Sequence, residues 1–338
     1  MSAPLHTRLC DLLGIRFPIL CAPMGWLTGP ELVAAVCNAG GLGILGAGSL
    51  PPEELRARIR RVRELTSQPF GVNLILSRPS EERARVCFEE RVALLSLFWG
   101  DPQPYVAGAT ELGIKTCIQV GSVASAQQAA RTGVDFVIAQ GMEAGGHTHG
   151  QVTTMTLVPQ VVDAVRNLPV VAAGGIADAR GLVAALALGA QGAALGTRFL
   201  ASEEAQAHPR YKELVVAAGS EDTVRTTLYG GGWPNAPHRV LHTAFVAEWL
   251  PQEARGSEGR PDEPIVGRSV LAGETVAMRR FMVLPPNVDT SGEIEAMALY
   301  AGQSAGLLNN VQPAGRIVER LVAESIQLLQ TTLCPLAR

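Results

Sequence analysis

Long hydrophobic runs are missing from this chain. No stretch of 18 or more apolar residues occurs in its 338, so nothing reads as a membrane span. No charged, apolar and small-residue succession marks the N-terminus as a secretory signal, and a cytoplasmic protein is the expectation. Cysteines at metal-binding spacing are lacking too. Cys10, Cys21, Cys37, Cys87, Cys117 and Cys334 are scattered, with no C-x-x-C. They read as small hydrophobes in a reducing compartment, and no metal site is expected. Charge is sparse, at 17% of residues, and the net charge is only −3. That leaves no electrostatic footprint for nucleic acid. The densest basic stretch, Arg56 to Arg63, shares its segment with Leu55, Ile59 and Val62, and reads as the solvated face of a helix. The G-x-G-x-x-G that opens the first helix of a dinucleotide-binding sheet is absent after Met24.

What the chain has is glycine, 36 residues of it, and a 47% hydrophobic content broken into short runs. Eight such runs read as strands: 17–24, 41–47, 70–76, 93–99, 114–120, 134–140, 169–173 and 192–196. Helical patterns separate them at 29–39, 51–66, 80–91, 102–112, 122–132, 156–167 and 178–188. Pro159 then falls in a first turn, where proline is tolerated. The runs are apolar throughout, as strands buried on both faces are. Strand–helix alternation over about 200 residues predicts an α/β fold, a (β/α)8 TIM barrel, with a doubly wound sheet as the alternative. After residue 220 the rhythm breaks. Residues 225–291 read as a lid-like segment with a mobile loop at 251–264. Helices at 292–308 and 312–330 are expected to pack back on a barrel made of 1–224 with 292–338.

Active sites of such barrels form at the C-terminal strand ends. There stand Ala22, Pro23 and Met24 after strand one, Asn73 in strand three, and Gln119 in strand five. Gly145-Gly146-His147 follows strand six, Gly174-Gly175 strand seven, and Gly196-Thr197 strand eight. Glycine loops after strands seven and eight suit a phosphate, because they expose backbone N–H groups. Asn and Gln can donate and accept at once, which suits the rim of an isoalloxazine. His147 is the side chain suited to proton transfer or hydrogen bonding near neutral pH.

Taken together, Phe17-Pro18-Ile19, Ala22-Pro23-Met24, Gly40 to Gly43, Gly71 to Leu74, Gly141 to His147, Ala173 to Asp178 and Leu195 to Phe199 resemble the nitronate monooxygenase family, formerly called 2-nitropropane dioxygenases. The resemblance spans roughly the whole chain. It implies an FMN-dependent enzyme that oxidises alkyl nitronates, such as propionate 3-nitronate, with dioxygen. It places His147 at the active-site histidine. It places Ala22, Pro23, Met24, Asn73, Gln119, Gly146, Gly174, Gly175, Gly196 and Thr197 at the flavin. The stretch Tyr300 to Ser304, with Gln303, resembles an element returning to the flavin side. The chain departs from the family pattern where Thr148 and His149 precede Gly150; His149 is expected to face solvent. The stretch Glu143–His147 with Thr153–Leu157 also resembles flavin-dependent enoyl-acyl-carrier-protein reductases, and quinone reductases lie nearby. An NAD(P)H-dependent reductase is therefore the first alternative and a non-catalytic flavin binder the second. The expected partners are a small-molecule substrate and dioxygen, and a homodimer is left open.

Overall fold

Eight parallel strands close into a barrel in the order β1-β2-β3-β4-β5-β6-β8-β9, with β9 returning to β1. The computed structural model describes residues 5–48 and 50–337. The strands are β1 Ile19–Cys21, β2 Leu42–Gly46, β3 Gly71–Ile75, β4 Leu94–Phe98, β5 Lys115–Val120, β6 Phe136–Gln140, β8 Val170–Ala173 and β9 Gly192–Leu195; the two-residue β7, Gly146–His147, lies outside the barrel. Each expected run contains one barrel strand, so the closed barrel replaces the doubly wound alternative. The helices are α1 Arg8–Leu13, α2 Pro30–Asn38, α3 Pro52–Leu65, α4 Glu81–Glu89, α5 Gln103–Glu111, α6 Val123–Arg131, α7 Thr154–Ala164, α8 Ala179–Ala187, α9 Thr197–Leu200, α10 Pro209–Ala217, α11 Ala244–Trp249 and α12 Ala314–Leu328.

The reason the runs lack alternation is visible in the packing. Inward side chains such as Leu20, Leu42, Ile44, Leu94, Phe136 and Val171 fill the barrel, and Leu9, Cys10 and Leu13 of α1 join the same cluster. Outward ones such as Ile19, Leu45, Val72, Leu95 and Val137 meet the helices. Both faces are dry, so both must be apolar. The basic stretch behaves as expected: Leu55, Ile59 and Val62 bury one side of α3, and Arg56, Arg60 and Arg63 all reach Glu90.

Three expectations need correction. Helix α7 starts at Thr154, two residues early, because the Glu143 carboxylate accepts the Thr154 N–H at 2.9 Å. Pro159 therefore lies inside the helix. No helix spans 292–308; β14 (Ser291–Gly292) and 3-10 turns at 294–296 and 303–307 take its place. Residues 296–299 are buried consecutively, and a surface helix cannot bury four residues in a row on one face. The stretch 251–264 is not loop throughout, since 3-10 turns run over Leu250–Ser257. The buried Glu263 pairs with Arg255 and Arg280.

Residues 225–291 are built around β10 (Thr223–Thr226), β11 (His238–Leu241) and the hairpin β12 (Ile265–Leu271) and β13 (Glu274–Arg279). The important pairing is local to the barrel mouth. β11 lies antiparallel to β7, with His238 opposite His147 and Arg239 opposite Gly146.

Candidate active site

A cavity with about 1440 Å³ of empty space, measured out to its open side, occupies the C-terminal end of the barrel. It falls at the place where this architecture puts its chemistry. Of the residues singled out in the sequence, Ala22, Pro23, Met24, Asn73, Gln119, Gly146, His147, Gly174, Gly175, Gly196 and Thr197 all line it. Gln303 does not. Its N–H is held by the Glu143 carbonyl at 3.0 Å and its own carbonyl accepts from Ser220, while Ser304 takes the lining position.

The wall is shaped by glycine. Gly174 and Gly175 turn the chain with φ of 100° and 71°, a region that suits glycine. A Cβ on Gly146 would meet nothing within 4 Å, and on Gly175 or Gly196 nothing nearer than 3.8 Å. These positions are not crowded by protein; the space in front of them is open for a ligand. Neutral polar groups face the same space. Asn73 spends its amide N–H on the Ser96 carbonyl at 3.1 Å, which leaves its oxygen free to accept. Gln119 makes no side-chain hydrogen bond among the described residues. Thr197 Oγ1 accepts the Gly302 N–H at 3.0 Å and retains its own proton to donate. This set fits FMN: glycine loops with free amides for a phosphate, and amide acceptors and donors for a heteroaromatic rim.

His147 forms the opposite side. Its ring stacks on Trp233 at 4.2 Å and 19°, with Tyr300 5.5 Å and His238 5.2 Å away. Nε2 is buried and has no partner among the described residues. Burial first, then the charges possible on His238, Arg78 and His149, push its pKa well below 6.5. The imidazole is neutral at neutral pH, with an unsatisfied ring nitrogen in the cavity wall. His149 is exposed, as expected, and lies on Trp99 at 3.5 Å between ring centres.

Sequence reasoning missed the residues that hold this loop. Glu143 ties its start to Thr154, accepting both the N–H and the hydroxyl. Arg239 donates twice to the Met142 carbonyl at 3.2 Å, and Arg225 reaches the carbonyls of Thr148 and Gly150 at 3.3 Å. Two guanidiniums thus grip the backbone on both sides of His147. At the mouth, Arg78 donates to the Gly232 carbonyl, lies 5.9 Å from the Trp233 ring, and pairs with no carboxylate among the described residues. Only the position of Glu143 inside the Gly141–His147 motif could have drawn attention beforehand.

His238 backs the site and carries a pH consequence. It is fully buried, its Nδ1 donates to the Ala236 carbonyl, and its Nε2 accepts the Tyr229 N–H, a tautomer fixed by those two bonds. Burial pushes its pKa down to about 4. Between pH 6.5 and 4 the unfolded chain therefore binds a proton that the folded one refuses. This stability is complete above pH 6.5 and is lost as the pH falls toward 4. Urea unfolding should show a loss of about 2 kcal/mol from pH 7 to pH 5 from this group alone. The slope should flatten in His238→Asn; an unchanged slope would contradict the assignment.

Comparison with known proteins adds relatives to this geometry. The chain matches the nitronate monooxygenase family over residues 6–84 and 80–324. A Mycobacterium tuberculosis protein named (3aS,4S,5R,7aS)-5-hydroxy-7a-methyl-1-oxo-octahydro-1H-indene-4-carboxyl-CoA dehydrogenase is 34% identical, over 97% of this chain and 98% of its own. The structure of FabK from Thermotoga maritima superposes with a TM-score of 0.81 and 39% identity, covering 96% of this chain and 97% of that one. A nitroalkane oxidase from Streptomyces ansochromogenes superposes at 0.76 with 29% identity, covering 94% and 98%.

Proposed function

The chain belongs to the nitronate monooxygenase family and is a flavin oxidoreductase, and from that premise we propose that it binds FMN and oxidises alkyl nitronates, such as propionate 3-nitronate, with dioxygen. The Gly174–Gly175 and Gly196–Thr197 loops would hold the FMN phosphate, and Asn73 and Gln119 would meet the polar rim of its ring. When bound, it supplies the electron transfer between substrate and oxygen. The residues of the chain do the rest. Trp233, Val283, Leu284 and Pro285, all from the 225–291 segment, cover the mouth and limit water. Arg78 draws an anion toward the mouth.

The observation that carries the reading is His147. A buried neutral imidazole with a pKa well below 6.5 is a poor base toward a carbon acid, but its ring N–H can donate to the oxygen of an anion. Such a site serves a substrate that arrives already deprotonated. Oxygen uptake at pH 7 tests it. Propionate 3-nitronate should be consumed at least about 100-fold more efficiently than 3-nitropropionate, its carbon-protonated form, because the site lacks an effective base. Equal efficiency for the two forms, or no uptake with either, would refute the proposal.

A second reading draws on the Mycobacterium tuberculosis relative, whose name specifies a CoA-thioester dehydrogenase. The same cavity, with the positive Arg78 at its mouth, would then serve a larger acyl substrate and exchange hydride with NAD(P)H. Anaerobic mixing separates the two: rapid bleaching of bound flavin by NADH or NADPH favours the reductase.

A further inference from the structure

A second cleft lies between α8 and α12, on the far side of the two glycine loops, and is lined by residues that follow them directly: Ala177 and Asp178, and Arg198. Arg198 is only 7% exposed. Its Nη2 donates to the carbonyls of Ala201 at 2.9 Å and Asn310 at 2.7 Å, which explains why that nitrogen is there. It does not explain the rest of the guanidinium. Nε is buried without a partner, and no carboxylate pairs with Arg198 among the described residues. A buried charge left without a counter-charge is costly.

The surroundings add to that charge. Arg320 and Arg180 also line the cleft. Arg320 pairs with Glu324 at 2.9 Å and Arg180 with Asp178. Three guanidiniums face two carboxylates, and the one without a partner is the one shielded from water. Burial and the charge of Arg320 push the Arg198 pKa down to about 10, so it remains cationic at neutral pH. The amides of Asn309 and Gln312 line the same cleft and can donate to an oxyanion, Gln312 with the N–H it does not spend on Asn310.

We propose that this cleft binds a small oxyanion, inorganic phosphate or a phosphate monoester, between Arg198 and Arg320. The site is separate from the barrel mouth and does not rest on the nitronate reading. The anion neutralises Arg198 and ties α12 to the β9–α9 turn. Free phosphate and a phosphorylated metabolite share this chemistry.

Isothermal titration calorimetry tests it, with inorganic phosphate and phenyl phosphate at fixed ionic strength, on protein loaded with FMN and freed of excess FMN, itself a phosphate monoester, by gel filtration. One site is expected, the glycine loops of the barrel mouth being already filled. Arg320→Gln, an exposed change, should weaken it about tenfold or more by removing a charged donor. Arg316→Gln, on the same helix but outside the cleft, should leave it intact. A tighter Kd for phenyl phosphate would identify a monoester as the better ligand, and equal values free phosphate. Absence of binding to the FMN-loaded protein, or equal weakening in both variants, would overturn the proposal.

Discussion

His147→Ala should lower turnover of nitronate by about 10²- to 10³-fold, the cost of removing one preorganised donor from a dry site. The same variant should retain its flavin. Neither ring nitrogen of His147 bonds to protein among the described residues, so truncation leaves no orphaned partner behind. What is lost structurally is the stack on Trp233, worth about 1 kcal/mol. The glycine loops and the amides of Asn73 and Gln119 hang on other strands and should be undisturbed. His147→Asn distinguishes the two roles a histidine can take. It keeps an N–H and loses the base, so partial recovery supports a donor. Asn as inactive as Ala would argue for proton abstraction, and unchanged turnover in Ala would remove His147 from the mechanism.

Gly145→Ala should be the most damaging single methyl in the site. A Cβ there would sit 2.5 Å from the Gly302 nitrogen and 2.7 Å from the Ala301 carbonyl carbon, both backbone atoms that cannot rotate away. The contact is mutual, since a Cβ on Gly302 would meet the Glu143 carbonyl and the Gly145 nitrogen at 2.8 Å. To make room, residues 301–304 must retreat. That breaks the bond from the Gly302 N–H to Thr197 and moves Ser304 off the cavity wall. Overpacking of this kind costs about 1–3 kcal/mol. FMN affinity should fall with it, by about 2- to 13-fold if half of that cost is felt at the cofactor. Gly113→Ala, just before β5 and outside the cavity lining, is the control: its Cβ would meet nothing, and only its φ of 73° opposes the change, at about 1–2 kcal/mol. If Gly145→Ala keeps full flavin affinity, close backbone approach is not what that glycine provides.

The barrel was legible because its strands obey a simple rule. Runs such as Phe136–Gln140 are dry on both faces, so each appears as an unbroken apolar segment between helical patterns. The mouth was legible because strand ends and glycine pairs coincide there. What could not be read depends on partners distant in sequence. Arg225 and Arg239 act on carbonyls 77 and 97 residues away, and carbonyls carry no sequence signature. Residues 292–308 misled because consecutive burial in an irregular segment imitates helical periodicity over short windows. At 303–304 the 3-10 turn decides which side chain meets the cavity, a one-residue choice that spacing leaves open.

The central claim is that the glycine-lined mouth of this barrel holds FMN against His147. The visible absorption spectrum of the purified protein during titration with FMN measures this most directly. A saturable, perturbed flavin spectrum with one FMN per chain, with binding weakened in Gly145→Ala and unchanged in His147→Ala, is the expected result. A spectrum that stays that of free FMN at every ratio would contradict the account.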